Sequence, residues 1–283
     1  MKKLLVLILL VFFVSCDDTR SLDTVPTPTP SSTVTNSEKP KANSKIIEGE
    51  FSAKKAFELL YGNYSEEQKE SNWKPSKEEL AKFYESSDSS SEKDFYVTSV
   101  LVSPFKEAGT DKYMVVTSAS PPDNDCHACA PVLGVAVFKK DGNKWSLELE
   151  QKYVDKIGSY GTAPDGKLVK IGDDSYGILL ESSDTGQGYT YQGVALLANI
   201  NRTFKNVLFA QTAGDNSGTC GDDLGPCWQF SSKYEFIPGK NKNFYDFKVE
   251  FTGTKGQEDD PKKVIPANET KIYEFNGTDY KSK

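Results

Sequence analysis

Apolar residues fall at helical spacing in two short stretches after residue 50 and, from residue 94 onward, at every second position. In 51–62 (FSAKKAFELLYG), Ala53, Ala56, Phe57 and Leu60 share one helical face, and Ser52 stands where an N-cap belongs. In 75–86 (PSKEELAKFYES), Ser76 and Glu79 form a capping-box pattern, in which each side chain bonds a free amide of the first turn. Leu80, Phe83 and Tyr84 then face inward, with Lys77 and Glu78 on the wet side, and 85–93 reads as a loop.

Beyond residue 94 the period is two. WSLELE puts Trp145, Leu147 and Leu149 on one face, and NFYDFKVEFT does the same with Tyr245, Phe247, Val249 and Phe251. Successive strand side chains point to opposite faces, so these predict antiparallel strands with one buried side. Similar segments lie at 94–103, 112–119, 131–139, 167–171, 175–182, 189–200, 203–211, 230–237 and 270–275. Turn signals separate them at Asp141-Gly142, Asp165-Gly166, Pro238-Gly239 and Asn276-Gly277. The count is about eleven strands, too few for a four-bladed propeller. The expected fold is mainly β: an antiparallel sandwich or curled meander with two short N-terminal helices.

The first sixteen residues follow neither pattern. Lys2 and Lys3 precede an unbroken apolar run, Leu4–Val14, and then Ser15 and Cys16. A run that short suits a signal-peptide core and is too short to span a bilayer. With FVSC at 13–16, the segment resembles a bacterial lipoprotein signal peptide. The resemblance implies cleavage before Cys16, acyl chains on Cys16, and a mature protein held on a bacterial membrane facing the periplasm or the cell exterior. Several acyl chains together anchor stably, each buried methylene contributing about 0.8 kcal/mol.

Residues 17–48 contain no aromatic and carry Pro26, Pro28, Pro30 and Pro40 among Thr and Ser. Such a segment buries too little apolar surface to offset its ordering entropy. It reads as a tether reaching about 100 Å when extended. The chain therefore divides into a signal peptide (1–15), a lipidated cysteine with a disordered tether (16–48) and a β-rich ectodomain (49–283).

Composition narrows the partners. With 34 Lys+Arg against 41 Asp+Glu the net charge is −7, which argues against nucleic acid and against broad adhesion to anionic lipid. The expected partners are the membrane, through the lipid, and an envelope ligand or protein.

Four cysteines follow Cys16: Cys126, Cys129, Cys220 and Cys227. An even number in an exported chain predicts two structural disulfides. Local pairing, 126–129 and 220–227, is preferred because both pairs sit in Gly/Pro/Asp-rich loops. A crossed 126–220 bridge would close about 95 residues, worth about 4.7 kcal/mol in the chain-entropy model. The rival reading is thiol-disulfide chemistry at Cys126-His127-Ala128-Cys129, which needs a stabilised thiolate. Here the motif runs into APVLGVAVF, a strand pattern, where a thioredoxin-type site requires a helix. Zinc on Cys126, His127, Cys129, Cys220 and Cys227 is a third reading, although a six-residue gap is wide for a knuckle.

Other chemistry is sparse. His127 is the sole histidine, so any histidine-based acid/base site must use it. Asp184-Thr185-Gly186 matches the aspartic-protease tripeptide, but it has no second copy and reads as a turn with Gly186 and Gly188 at positive φ. Asp215-Asn216-Ser217-Gly218 with Asp222 offers oxygen ligands for calcium, at a spacing unlike an EF-hand. Solvated loop carboxylates are the preferred reading. The long loop 213–228 ends at Trp228, which is either a ligand contact or a core plug. No cofactor, metal or catalytic residue is expected. The function expected is a non-enzymatic ligand-binding, partner-binding or structural ectodomain. A carboxylate-based hydrolase is the weaker alternative, because such pairs are set by space rather than by sequence.

Overall fold

The protein is described by a computed structural model that covers residues 45–83, 94–257 and 260–283. The signal segment 1–15, Cys16, most of the tether, the side chain of Phe83, Tyr84, the loop 85–93 and the acidic pair Glu258/Asp259 lie outside the described residues.

Strands dominate. The first sheet comprises β1 (Ile46–Glu48), β2 (Tyr64–Ser65), β3 (Glu70–Trp73), β4 (Phe95–Glu107), β5 (Thr110–Ser120), β6 (Val132–Asp141) and β7 (Lys144–Lys156), in the order β1-β7-β6-β5-β4-β3-β2. The second comprises β8 (Asp165–Lys170), β9 (Tyr176–Gly186), β10 (Tyr189–Ile200), β11 (Thr203–Asp215), β12 (Gln229–Ile237), β13 (Asp246–Gln257), β14 (Asp260–Pro266), β15 (Thr270–Phe275) and β16 (Tyr280–Ser282). It runs β16-β15-β13-β12-β11-β10-β9-β8, with β14 on β13, and every pairing in both sheets is antiparallel. The fold is mainly β, as the alternation predicts, and both expected architectures are present: the sheets pack face to face, and the second also curls into a half-barrel. Beyond the expected set lie β1, β2, β3 and β16, of two to four residues, and the seven-residue β14. β1 takes Ile46–Glu48 out of the predicted tether and pairs them with β7.

The helices start where their caps lie. α1 (Ala53–Leu60) has Ser52 accepting from the Lys55 amide at 3.3 Å and buries Ala56, Phe57 and Leu60. Before α2 (Lys77–Phe83), the Ser76 amide donates to Glu79 at 2.8 Å and the Glu79 amide donates to Ser76 Oγ at 3.2 Å. Two orphan amides are thereby satisfied reciprocally.

Three apolar layers result. On the outer face of the first sheet, Phe57, Leu60 and Leu80 pack with Trp73, Phe95, Phe138 and Trp145. Between the sheets lie Met114, Val116, Leu133, Val135 and Val137 against Ile178, Leu180, Ala195, Leu197 and Phe204. Within the curl, Leu196, Val207, Phe230, Phe247 and Val249 close a third layer. β6 is buried on both faces, which explains the unbroken apolar run in LGVAVF: Leu133, Val135 and Val137 enter the sheet interface, while Ala136 and Phe138 meet the helices.

A bulge divides the Trp145-Leu147-Leu149 face. Phe138 pairs with Leu147 but Val137 pairs with Leu149, so Glu148 is an extra residue in β7. Trp145 and Leu147 stay on the helix side and Leu149 turns into the sheet interface. Glu148 meets Lys112 at 2.6 Å, and Glu107 meets the same ammonium at 2.6 Å. Burial alone would lower the Lys112 pKa, but the hydrogen bonds to Glu107 and Glu148 hold it above its ordinary value. Asp165-Gly166, read as a turn, instead lies inside β8, paired with Glu181 and Leu180.

A side-chain amide clasps the two sheets. Gln151 on β7 donates to the Phe204 carbonyl at 3.0 Å and accepts from the Phe204 amide at 2.9 Å. It stands in for a neighbouring strand at an edge of β11, where backbone groups would otherwise go unpaired. Gln151→Leu strips both partners from Phe204. The expected loss is about 2 kcal/mol, read as a lower urea midpoint with an unchanged slope.

Candidate functional site

The two ends of the sandwich differ. At one end, tight turns at Ala108-Gly109, Gly142-Asn143 and Asn201-Arg202 join successive strands. At the other end lie the long loops 121–131, 157–164 and 216–228, together with the β9–β10 hairpin tip. Both cysteine pairs sit at this loop-bearing end, on either side of that hairpin. Its tip, Gln187-Gly188, has positive φ at both residues (52° and 81°), as a two-residue β-hairpin turn requires. Asp184-Thr185-Gly186 belongs to the end of β9, paired with β10 from Tyr191 to Tyr189, and Gly186 is not among the positive-φ glycines.

The cysteines pair locally, Cys126 with Cys129 and Cys220 with Cys227. The crossed bridge does not form, and none of the four offers a thiolate to zinc. The segment after Cys129 enters β6 rather than a helix. The Cys126–Cys129 loop is tied to the next loop through its carbonyls: the Tyr160 amide donates to Cys126 at 3.1 Å and the Gly161 amide to Cys129 at 2.7 Å. Gly161 has φ +68°, and a Cβ there would stand 2.4 Å from the Asn124 carbonyl. That close approach admits only glycine.

Between these loops and β9 opens a cleft of about 590 Å³ lined by His127, Gly158, Tyr160, Thr162, Glu181 and Asp184. His127 Nε2 lies 2.6 Å from Asp184 Oδ1, and its ring faces Tyr160 at 5.2 Å. Tyr160 is 59% exposed with φ 51°. Glu181 is bound by Lys167 at 2.5 Å and by the Tyr234 hydroxyl. Those hydrogen bonds, Lys167 first and then Tyr234, hold the Glu181 carboxyl below its ordinary range. Tyr234 is pushed up, first by burial and then by its bond to Glu181. A glycosidase general acid needs a raised carboxyl, and Glu181 is shifted the other way. Asp184, the second carboxylate of the cleft, is engaged by the imidazole.

The second cysteine loop is built around Asn216, which is buried. Its amide nitrogen donates to the Pro226 carbonyl at 3.1 Å, and its side-chain oxygen accepts from the Trp228 amide at 2.8 Å. Asp215 accepts from the Ser217 amide at 2.9 Å. The Asp215 and Asn216 side-chain oxygens considered for calcium thus hold the loop itself. Trp228 is 7% exposed, stacks on Phe230 at 6.0 Å and leans on Tyr189 and Tyr191. Its ring is part of the curled sheet's core, as the plug reading expects, and its remaining edge lines a cavity of about 460 Å³ with Asp215, Ser217, Cys220, Cys227 and Gln229.

The structure thus places His127 in the cleft, with Cys126 and Cys129 in the loop that bears it, and leaves Cys220, Cys227 and Trp228 across the hairpin from it. Tyr160, Glu181, Lys167 and Tyr234 were not singled out from the sequence. For Tyr160 a signal exists, a lone aromatic among glycines in GSYGT; for the others the grouping depends on cross-strand register. No protein-family model, curated protein or solved structure matches the chain.

Two outcomes test this geometry. Asn216→Ala leaves the Pro226 carbonyl and Trp228 amide unpaired and should cost about 2 kcal/mol, seen in denaturant unfolding followed by Trp fluorescence. Glu181 has a folded pKa below its unfolded value. Its contribution is therefore present above the unfolded pKa of about 4.3 and is lost as pH falls through the depressed folded value. The stability gap between wild type and Glu181→Gln should close over that acid window and stay constant from there to neutrality.

Proposed function

We propose that this chain is a bacterial envelope lipoprotein, anchored by acyl chains on Cys16, whose β ectodomain binds a ligand or partner at its loop-bearing end. The observation that carries the anchor is the run Leu4–Val14 closed by Ser15-Cys16 behind two lysines. An oxidised pair in each of two loops supports an address outside the reducing cytosol. Among the described residues no helix is long and apolar enough to cross a membrane. The cleft supports binding at that end, since it combines an exposed aromatic with polar groups whose orientations are fixed by partners.

Metabolic labelling with an alkyne fatty acid tests the anchor. Wild-type protein should carry the label and partition into the detergent phase, and Cys16→Ala should carry none. Equal labelling of both refutes it.

A further inference from the structure

We propose that Cys126–Cys129 is an exchangeable disulfide at the mouth of the His127 cleft, which accepts electrons from a dithiol, while Cys220–Cys227 is a fixed structural bridge. This goes beyond anchoring and binding and does not depend on either.

Exposure alone does not separate the two bridges, since Cys126 and Cys227 are both exposed. What each bridge holds does. Cys227 adjoins the buried Trp228, so its bridge helps seat a core side chain. Residues 122–129 bury nothing: all are exposed or half-exposed. They are attached to the fold through the Cys126 and Cys129 carbonyls, which accept from Tyr160 and Gly161, through the Asn124 side chain, which donates to Ser120, and through His127 on Asp184. Those bonds do not involve sulfur and persist when the S–S bond opens. The bridge closes a three-residue separation against seven for Cys220–Cys227, so it removes somewhat less entropy from the unfolded chain. It seats no core side chain, and its place in an exposed loop needs another explanation.

The neighbourhood supplies one. His127 follows Cys126 directly, and its ring is oriented by Asp184 at 2.6 Å. The charged and titratable groups around it are Asp184 on β9, Tyr160 on the adjoining loop, Glu181 elsewhere in the cleft wall, and Asp123 and Asp125 on its own loop. No histidine serves the other pair. A cationic imidazole beside a cysteine pair stabilises the departing thiolate. His127 and Ala128, the two residues between the cysteines, line the adjoining cleft of about 590 Å³, and Cys126 itself is exposed.

A thiolate of the dithiol attacks one cysteine sulfur, the S–S bond breaks, and the bonding pair leaves on the other sulfur as a thiolate, which the neighbouring His127 stabilises and water protonates. The second thiol of the donor loses its proton to water and attacks the mixed disulfide, closing a disulfide on the donor and releasing the first cysteine as a thiolate that water protonates. Two electrons and two protons pass from the dithiol to Cys126 and Cys129.

The full chain, purified in detergent and equilibrated with graded dithiothreitol, tests the proposal by alkylation and peptide mass spectrometry. Cys126 and Cys129 should become reactive at a dithiol concentration at least about tenfold below that needed for Cys220 and Cys227, with the far-ultraviolet β signal unchanged. His127→Ala, an exposed position whose replacement spares the fold, should slow opening by about tenfold or more. Opening of both pairs together, only as the β signal disappears, overturns the proposal. An opening rate in His127→Ala equal to that of wild type overturns it too.

Discussion

The dry contact between the two sheets governs everything else in this molecule. Met114, Val116, Leu133, Val135 and Val137 from one side meet Ile178, Leu180, Ala195, Leu197 and Phe204 from the other. Burying each of these side chains other than Ala195 contributes about 1.5–3 kcal/mol relative to exposure. The contact also fixes which ends of the strands coincide. β4 lies against β8 and β7 against β11, so the loops 121–131, 157–164 and 216–228 emerge together. The cleft exists because this face-to-face packing sets one sheet's loops beside a strand of the other. Where the packing runs out, polar devices take over. Gln151 clasps Phe204, and Lys112 settles between Glu107 and Glu148 where the β7 bulge redirects the chain.

Much of the fold was legible because local rules and tertiary demands agree. Ser52, Ser76 and Glu79 satisfy free amides whatever lies beyond their own turn, so the helix starts could be read directly. The long strands were legible from alternation. What escaped has physical reasons. β1, β2, β3 and β16 are too short to show a period, and β1 exists only because β7 offers it an edge. Glu148 reads as the polar partner in an alternation that the bulge breaks. Asp165-Gly166 carries the chemistry of a turn but sits inside β8, where Gly166 leaves space for Val100 and Leu180.

The site was legible residue by residue and not as an assembly. The local pairing of the cysteines follows from the flexibility of their loops. That His127 meets Asp184, far along the chain, depends on where β9 ends and on how loop 157–164 is pinned by Gly161, and no spacing in the sequence encodes either. Trp228 was ambiguous because an aromatic at a loop's end satisfies two roles equally. Packing against Phe230 and the hold of Asn216 put its ring in the core.

The strand order carries a consequence for how the molecule comes into being. Apart from β1 on β7 and β15 on β13, every pairing joins two strands consecutive in the chain. Ladders between consecutive segments close small loops, and small loops form quickly. A polypeptide delivered amino end first can lay each new hairpin onto the one already made, without waiting for its far terminus. Only the short β1 must hold off until β7 arrives, which makes that pairing the latch on the first sheet.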